Sequence, residues 1–148
     1  MTQKSLTAVY LRRGKEESLE RCHPWIFSGA IERITEGLKP LSEGDIVDVY
    51  TKQGNFIARG HYQIGSIAVR VLSFEEESID QAWWNRRIAA AKALRESLGM
   101  VDNAQTSCYR LIHGEGDLLP GLVVDIYERT AVVQCHSVGV YHSGSQSA

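Results

Sequence analysis

The run from Asp45 to Leu72, DIVDVYTKQGNFIARGHYQIGSIAVRVL, decides the fold class. Val47 and Val49 alternate with Asp48 and Tyr50, so one side of an extended segment is apolar and the other is not. Lys52–Asn55 contains Gly54 and reads as a hairpin turn. Phe56–Tyr62 continues as a strand in which Ala58 and Gly60 leave room for a close backbone approach. Ile67–Leu72 again alternates, with Ile67, Val69 and Val71 inward and Arg70 outward. Short strands at this spacing, with little helix between them, predict a small barrel or pseudo-barrel.

Toward the N-terminus, Thr7–Leu11 is a β-prone run that ends at the turn-forming Gly14. Lys15–Arg21 is a short helical candidate, broken at His23-Pro24 because the residue before proline is pushed out of the α region. Trp25–Ile34 is expected to be extended, with Ser28-Gly29 permitting a bulge. Toward the C-terminus, the acidic junction Glu75–Glu77 precedes a helix over about Asp80–Leu98. Trp84, Ile88, Ala91, Leu94 and Leu98 give that helix one apolar face, with Ser78 or Asp80 as its cap and Gly99 just past its end. Trp83 and Trp84 are adjacent and cannot both face one core, so an uncovered tryptophan would favour self-association. Strands are expected at Cys108–His113, Leu122–Tyr127 and Ala131–Gln134. The β-like character carries on through Cys135–Tyr141 and gives way to a small, polar tail. The expected organisation is a barrel domain over 1–75, an α+β domain over 76–141 that is incomplete, and a disordered tail over 142–148.

An apolar share of 43% and a charged share of 23% are those of a globular chain. No stretch approaches a membrane span, and the N-terminus lacks the apolar core of a secretory signal. Cys22, Cys108 and Cys135 are odd in number and scattered, which argues for a reducing, cytoplasmic setting. They lack the paired spacing of a structural zinc site, and buried, inert thiols are the expectation. Net charge is −2, but its distribution is uneven. Residues 1–75 hold ten Lys or Arg against nine Asp or Glu, and the remainder holds six against nine. A strongly basic domain is excluded, whereas a basic face around Arg12, Arg13, Lys15 and Arg21 is not.

Two passages carry a family likeness. One is Arg21-Cys-His-Pro-Trp-Ile-Phe-Ser-Gly-Ala-Ile31, ahead of the compact β region. The other is Tyr109-Arg-Leu-Ile-His-Gly-Glu-Gly-Asp-Leu-Leu-Pro-Gly-Leu-Val-Val-Asp-Ile-Tyr127. In this order and at this separation they resemble RlmI-type, S-adenosylmethionine-dependent methyltransferases that make 5-methylcytosine in large-subunit ribosomal RNA. The resemblance implies an N-terminal PUA domain, a small central β-β-helix-β-β domain and, in the family, a C-terminal Rossmann-like catalytic domain. The likeness reaches about Tyr141, so no catalytic domain is expected in this chain. S-adenosylmethionine is implied for the full-length family and no cofactor for this chain. Structured RNA, ribosomal by resemblance, is the implied partner. Sheet edges left open in a partial central domain would also let the chain form a homodimer.

Arg12, Arg13, Lys15, Arg21, Arg59 and Arg70 are the candidate phosphate contacts. His23 and Trp25 join them as an aromatic surface for unpaired bases. Trp25 divides evenly between that role and the barrel core, while Phe27 is expected to fill the core. Gly114–Gly121 has the wrong spacing for a dinucleotide cradle and reads as a hairpin connection built on Gly and Pro. Cytosine-5 methylation uses a cysteine nucleophile, which the resemblance places in the catalytic domain, so no catalytic residue and no metal ligand is assigned here. Two functions are carried forward: the RNA-recognition portion of a methyltransferase, inactive alone, or a stand-alone PUA-like binding or interaction module without catalysis.

Overall fold

The computed structural model describes residues 6–145, without the side chain of Ser145. It separates into two compact units, Met1–Glu77 and Ser78–Ala148.

The first unit is one curled six-stranded sheet: β1 (Thr7–Leu11), β2 (Trp25–Phe27), β3 (Ile31–Thr35), β4 (Ile46–Tyr50), β5 (Phe56–Tyr62) and β6 (Ile67–Ser73), with the short α1 (Glu17–Glu20) between β1 and β2. Strand order is β2-β6-β5-β4-β1-β3. Every pairing is antiparallel except β1 with β4, which is parallel. The period-2 pattern sets the inside: Val9, Leu11, Val47, Val49, Ala58, Val69 and Val71 form the core, closed by Leu19 from α1 and Ile26 from β2. The close approach expected at Gly60 is real. A Cβ there would lie 2.2 Å from the Arg70 carbonyl oxygen, so only glycine lets β5 and β6 meet at this point.

The second unit contains α2 (Gln81–Ser97), β7 (Cys108–His113), β8 (Leu122–Tyr127), β9 (Thr130–Cys135) and α3 (Val138–Ser145). The strands form an antiparallel sheet in the order β7-β8-β9. Asp80 caps α2, its Oδ1 accepting the Trp83 N–H at 2.9 Å, and Gly99 takes the left-handed conformation (φ +67°) just beyond the end.

Three expectations are corrected. The buried stripe of α2 is Trp83, Ala91 and Arg95, whereas Ile88, Leu94 and Leu98 are exposed and Trp84 is half-buried. The reason is Arg95: its guanidinium donates to both carboxylate oxygens of Asp117 at 2.5 and 2.8 Å and to the Arg110 carbonyl at 3.0 Å. A count of apolar side chains scores arginine as outward and so misplaces the face. The C-terminal run is not a strand passing into a tail, because β9 stops at Cys135 and Val138–Ser145 is helical. Val138, Gly139 and Val140 are weak helix formers. The helix is started by Ser137, whose Oγ accepts the Val140 N–H at 3.4 Å, and is anchored by the buried Val140. Residues 146–148 of the expected tail lie outside the described residues. Finally, Cys22, Cys108 and Cys135 are all exposed rather than buried.

Candidate nucleic-acid interface

The basic turn and the aromatic strand meet on one side of the first unit. After β1, the Arg12 N–H donates to the Ala30 carbonyl at 2.9 Å, and the Lys15 N–H donates back to the Arg12 carbonyl at 3.1 Å. Gly14 makes this turn with φ +79°. Leu19 then pins α1 to the core. At the end of α1, Cys22 adopts a left-handed backbone (φ +59°), and the His23 N–H donates to the Ser18 carbonyl at 3.0 Å. The chain is thereby turned straight into β2. There the alternation puts Ile26 inward and Trp25 and Phe27 on the opposite side.

Phe27 is 50% exposed, which corrects the expectation that it fills the core, and Trp25 is half-buried. His23, Trp25 and Phe27 form a cluster with ring centroids 6.0 to 6.4 Å apart. The His23 Nδ1 accepts the Trp25 N–H at 3.2 Å and fixes the imidazole beside the indole. A cleft of about 350 Å³ opens here, with Lys15, Ser18, Leu19, Trp25, Phe27 and Ala30 in its lining. Arg12, Arg13 and Arg21 are exposed on the segments that build it. Arg70 stands directly across from Trp25 in the β2–β6 register and donates to Gln63 Oε1 at 2.5 Å. Half-exposed rings with cations beside them can stack on unpaired bases and hold the adjoining phosphates. Glu16, Glu17 and Glu20 keep the field of this face modest.

Arg59 does not belong to the group. It is 6% exposed, and its Nε and Nη2 donate to the two oxygens of Asp48 at 2.6 and 3.0 Å. Its Nη1 donates to the Glu77 carbonyl, while Ser73 Oγ donates to Glu77 Oε1 at 2.7 Å. The hydrogen bond to Asp48 is the main cause holding the Arg59 pKa above its ordinary value. Arg59 fastens the end of the first unit, and its burial against Asp48 and Glu77 keeps it from reaching a phosphate. In sequence it looks like Arg70. The distinguishing signal was Asp48, which the hairpin brings opposite Arg59.

A second aromatic set escaped the sequence reading. Tyr10 and Tyr50, partners in the parallel β1–β4 register, stack with centroids 5.4 Å apart, and the Arg33 guanidinium lies 3.5 Å over the Tyr10 ring. Burial, then the nearby Asp48 and Glu76 carboxylates, push the Tyr50 hydroxyl up from its ordinary value. The parity of residues 10 and 50 across a parallel pair could have revealed it, but parallel pairing between sequence-distant strands leaves no local mark.

The glycine loop Gly114–Gly121 does not fit a methyl donor. It opens as a 3-10 turn over Gly114–Asp117 and leads directly into β8, whereas a dinucleotide cradle runs straight into a helix. Its glycines have packing roles: a Cβ on Gly121 (φ +84°) would lie 2.7 Å from Ser137 Oγ. Its carboxylate is spent as well. Burial pushes the Asp117 carboxyl up, but the Arg95 guanidinium and the His113 N–H outweigh it and hold the group below its ordinary value. Among the described residues, no three His, Cys, Asp or Glu side chains gather in a way that could hold a metal ion, and no helix is long and apolar enough to cross a membrane.

A PUA-like domain family matches residues 9–74. Ribosomal RNA large subunit methyltransferase I of Photobacterium profundum is 44% identical over 135 residues, covering 90% of this chain and 33% of that protein. Its counterpart in Tolumonas auensis is 42% identical over 139 residues, covering 92% and 34%. Among solved structures, a proposed SAM-dependent methyltransferase from Streptococcus mutans superposes with a TM-score of 0.77 at 16% identity, over 94% of this chain and 35% of the other. A proposed methyltransferase complexed with SAH gives 0.76 at 17%, over 97% and 35%. The chain thus spans about a third of the relatives it matches. Its first unit carries a PUA-like domain, and over that third its sequence is similar to the ribosomal RNA large subunit methyltransferases I.

Proposed function

We propose that this chain is the RNA-recognition portion of an S-adenosylmethionine-dependent ribosomal RNA cytosine-5 methyltransferase, without methyl transfer of its own. The observation that carries the reading is the cleft beside β2, where Lys15, Trp25 and Phe27 converge. Unpaired bases stack on Trp25 and Phe27, with His23 backing the indole. Arg12, Arg13, Lys15, Arg21 and Arg70 hold the phosphates on either side. The relatives, named as ribosomal RNA methyltransferases, supply the RNA class, and SAH in a related structure supplies the cofactor class for a longer protein. The glycine loop of this chain offers that cofactor no cradle, so recognition and chemistry reside in different parts of the parent.

Fluorescence anisotropy with a ribosomal RNA fragment across a salt series tests the reading. Affinity should fall steeply with salt, and Arg12→Glu with Arg13→Glu should weaken binding and flatten that dependence. Trp25→Ala with Phe27→Ala should cost about 1–3 kcal/mol for each base unstacked. Unchanged affinity in both variants would refute the site. No binding at low salt would leave the PUA-like unit as a packing platform without RNA affinity. Incubation with rRNA and S-adenosylmethionine should yield no 5-methylcytosine above a no-protein control.

A further inference from the structure

β2 pairs with β6 alone, and its register decides which of its backbone groups the sheet consumes. The Pro24 carbonyl accepts the Val71 N–H at 2.8 Å, and Ile26 stands opposite Val69. In an antiparallel pair successive residues point their backbone groups to alternate sides, so the N–H and C=O of Trp25 both turn away from β6. One side-chain atom meets them there. His23 Nδ1 lies 3.2 Å from the Trp25 nitrogen and 3.3 Å from the Trp25 oxygen, with hydrogen-bond geometry toward each. Pro24 fixes φ between the two residues and is itself tied to β6, so the spacing is stiff. The two contacts need different protonation states. A bare Nδ1 accepts the Trp25 N–H and leaves the ring hydrogen on Nε2, whereas a protonated Nδ1 donates to the Trp25 carbonyl.

We propose that His23 is a proton-operated switch, which trades the Trp25 N–H for the Trp25 carbonyl on protonation and so tightens the grip on RNA as pH falls. The exchange stands on the geometry of this chain, and the tightening rests on the reading of this face as the RNA site. An imidazole held only by an N–H would lose its partner on protonation and swing away from the indole. Here the carbonyl receives the new proton. The ring therefore keeps its place, its centroid 6.0 Å from that of Trp25 and 6.4 Å from that of Phe27, while the face gains a positive charge. His23 is exposed, so the proton comes from solvent. The charged and titratable groups on the elements around it are Lys15, Glu16, Glu17, Glu20, Arg21 and Cys22 on the turn and α1, and Arg70 across from Trp25 on β6. Among side-chain types, imidazole is the one that ordinarily changes charge between about pH 5 and 8. The sign follows from the phosphate, which favours the charged ring. RNA binding should take up protons, be strongest below this range and weaken as pH rises through it.

Long-range proton–nitrogen NMR of the histidine rings in the RNA-free chain reads the exchange by itself. At the alkaline end His23 should be the Nε2–H tautomer. Through its titration the Trp25 amide proton should move upfield as its acceptor is lost, and His23→Gln should abolish that movement. An Nδ1–H tautomer, or a Trp25 amide that ignores the His23 titration, would overturn the proposal. Anisotropy with an oligouridylate, whose bases do not titrate in this range, reads the tightening from about pH 5.5 to about pH 8 at fixed ionic strength. Wild-type affinity should be about two- to fivefold tighter at the acid end, the worth of one exposed charged contact. The salt dependence should steepen there by about 0.7, for one more phosphate neutralised on a single strand. His23→Gln should flatten both responses. Binding without a pH dependence, or with one that survives undiminished in His23→Gln, would overturn the proposal. No binding at any pH beside an intact exchange would instead fell the reading of this face as an RNA site, and the tightening with it.

Discussion

Each of the two units buries an arginine, and the difference between their uses separates a finished surface from an unfinished one. Arg59 and Arg95 each grip a carboxylate through two nitrogens and give a third bond to a backbone carbonyl. In the first unit the grip lies on the outer side of the sheet and draws Glu77 over it, and β6 is buried on both sides, at Ala68 and Leu72 as well as at Val69 and Val71. In the second unit the grip lies between α2 and the glycine loop. It turns Trp83 inward and leaves Trp84, Ile88 and β9 as the walls of an open apolar cleft. The same local chemistry closes one unit and leaves an open apolar cleft in the other.

The strongest way to break the comparison is Asp48→Ala, which strands the Arg59 guanidinium in a buried position. Loss of one partner of a buried pair should cost about 3–5 kcal/mol, read from chemical denaturation, and Arg59→Met in the same chain should recover most of it. A loss under about 1 kcal/mol would mean water reaches the pair and the closure is only apparent. Next, Asp117→Asn should destabilise the second unit by about 3 kcal/mol, the low end of the same range, because burial already opposes its charge. Amide exchange should rise in α2 and the glycine loop and leave β4 and β5 unchanged. The pH sign follows from a carboxyl held below its ordinary value. The Asp117 contribution is complete above the unfolded value and lost as pH falls through the folded one. Wild type and Asp117→Asn should therefore converge in acid and differ most near neutrality. The smallest effect sharpens the contrast. Arg110 holds Asp125 at 2.8 and 3.0 Å and is the main cause keeping that carboxyl below its ordinary value, but the pair is on the surface. Asp125→Asn should leave the denaturation midpoint where it is.

What the sequence disclosed follows from how far apart the interacting residues are. Strands, the close approach at Gly60, the Asp80 cap and the Gly99 stop all rest on patterns within a few residues. The alternation of His23, Trp25 and Phe27 could be read the same way, although which side faced the core required the β2–β6 pairing with Arg70. The misreadings arose where a distant partner decided. Arg59 is set apart from the other cations only by Asp48, and Arg95 faces inward only because Asp117 waits for it. The helix after Ser137 runs against its own propensities and is held by tertiary packing at Val140.

The order of strands also has a consequence in time. β1 lies between β3 and β4, and β2 finds its partner only in β6, more than forty residues later. A chain emerging from synthesis therefore cannot complete the first sheet until Ser73 is available, and such long loop closures slow folding. The later meander of β7, β8 and β9 pairs each strand with its neighbour and can zip as it appears. The half of the molecule made second thus has the simpler route to its sheet, which can form before the earlier half has finished closing.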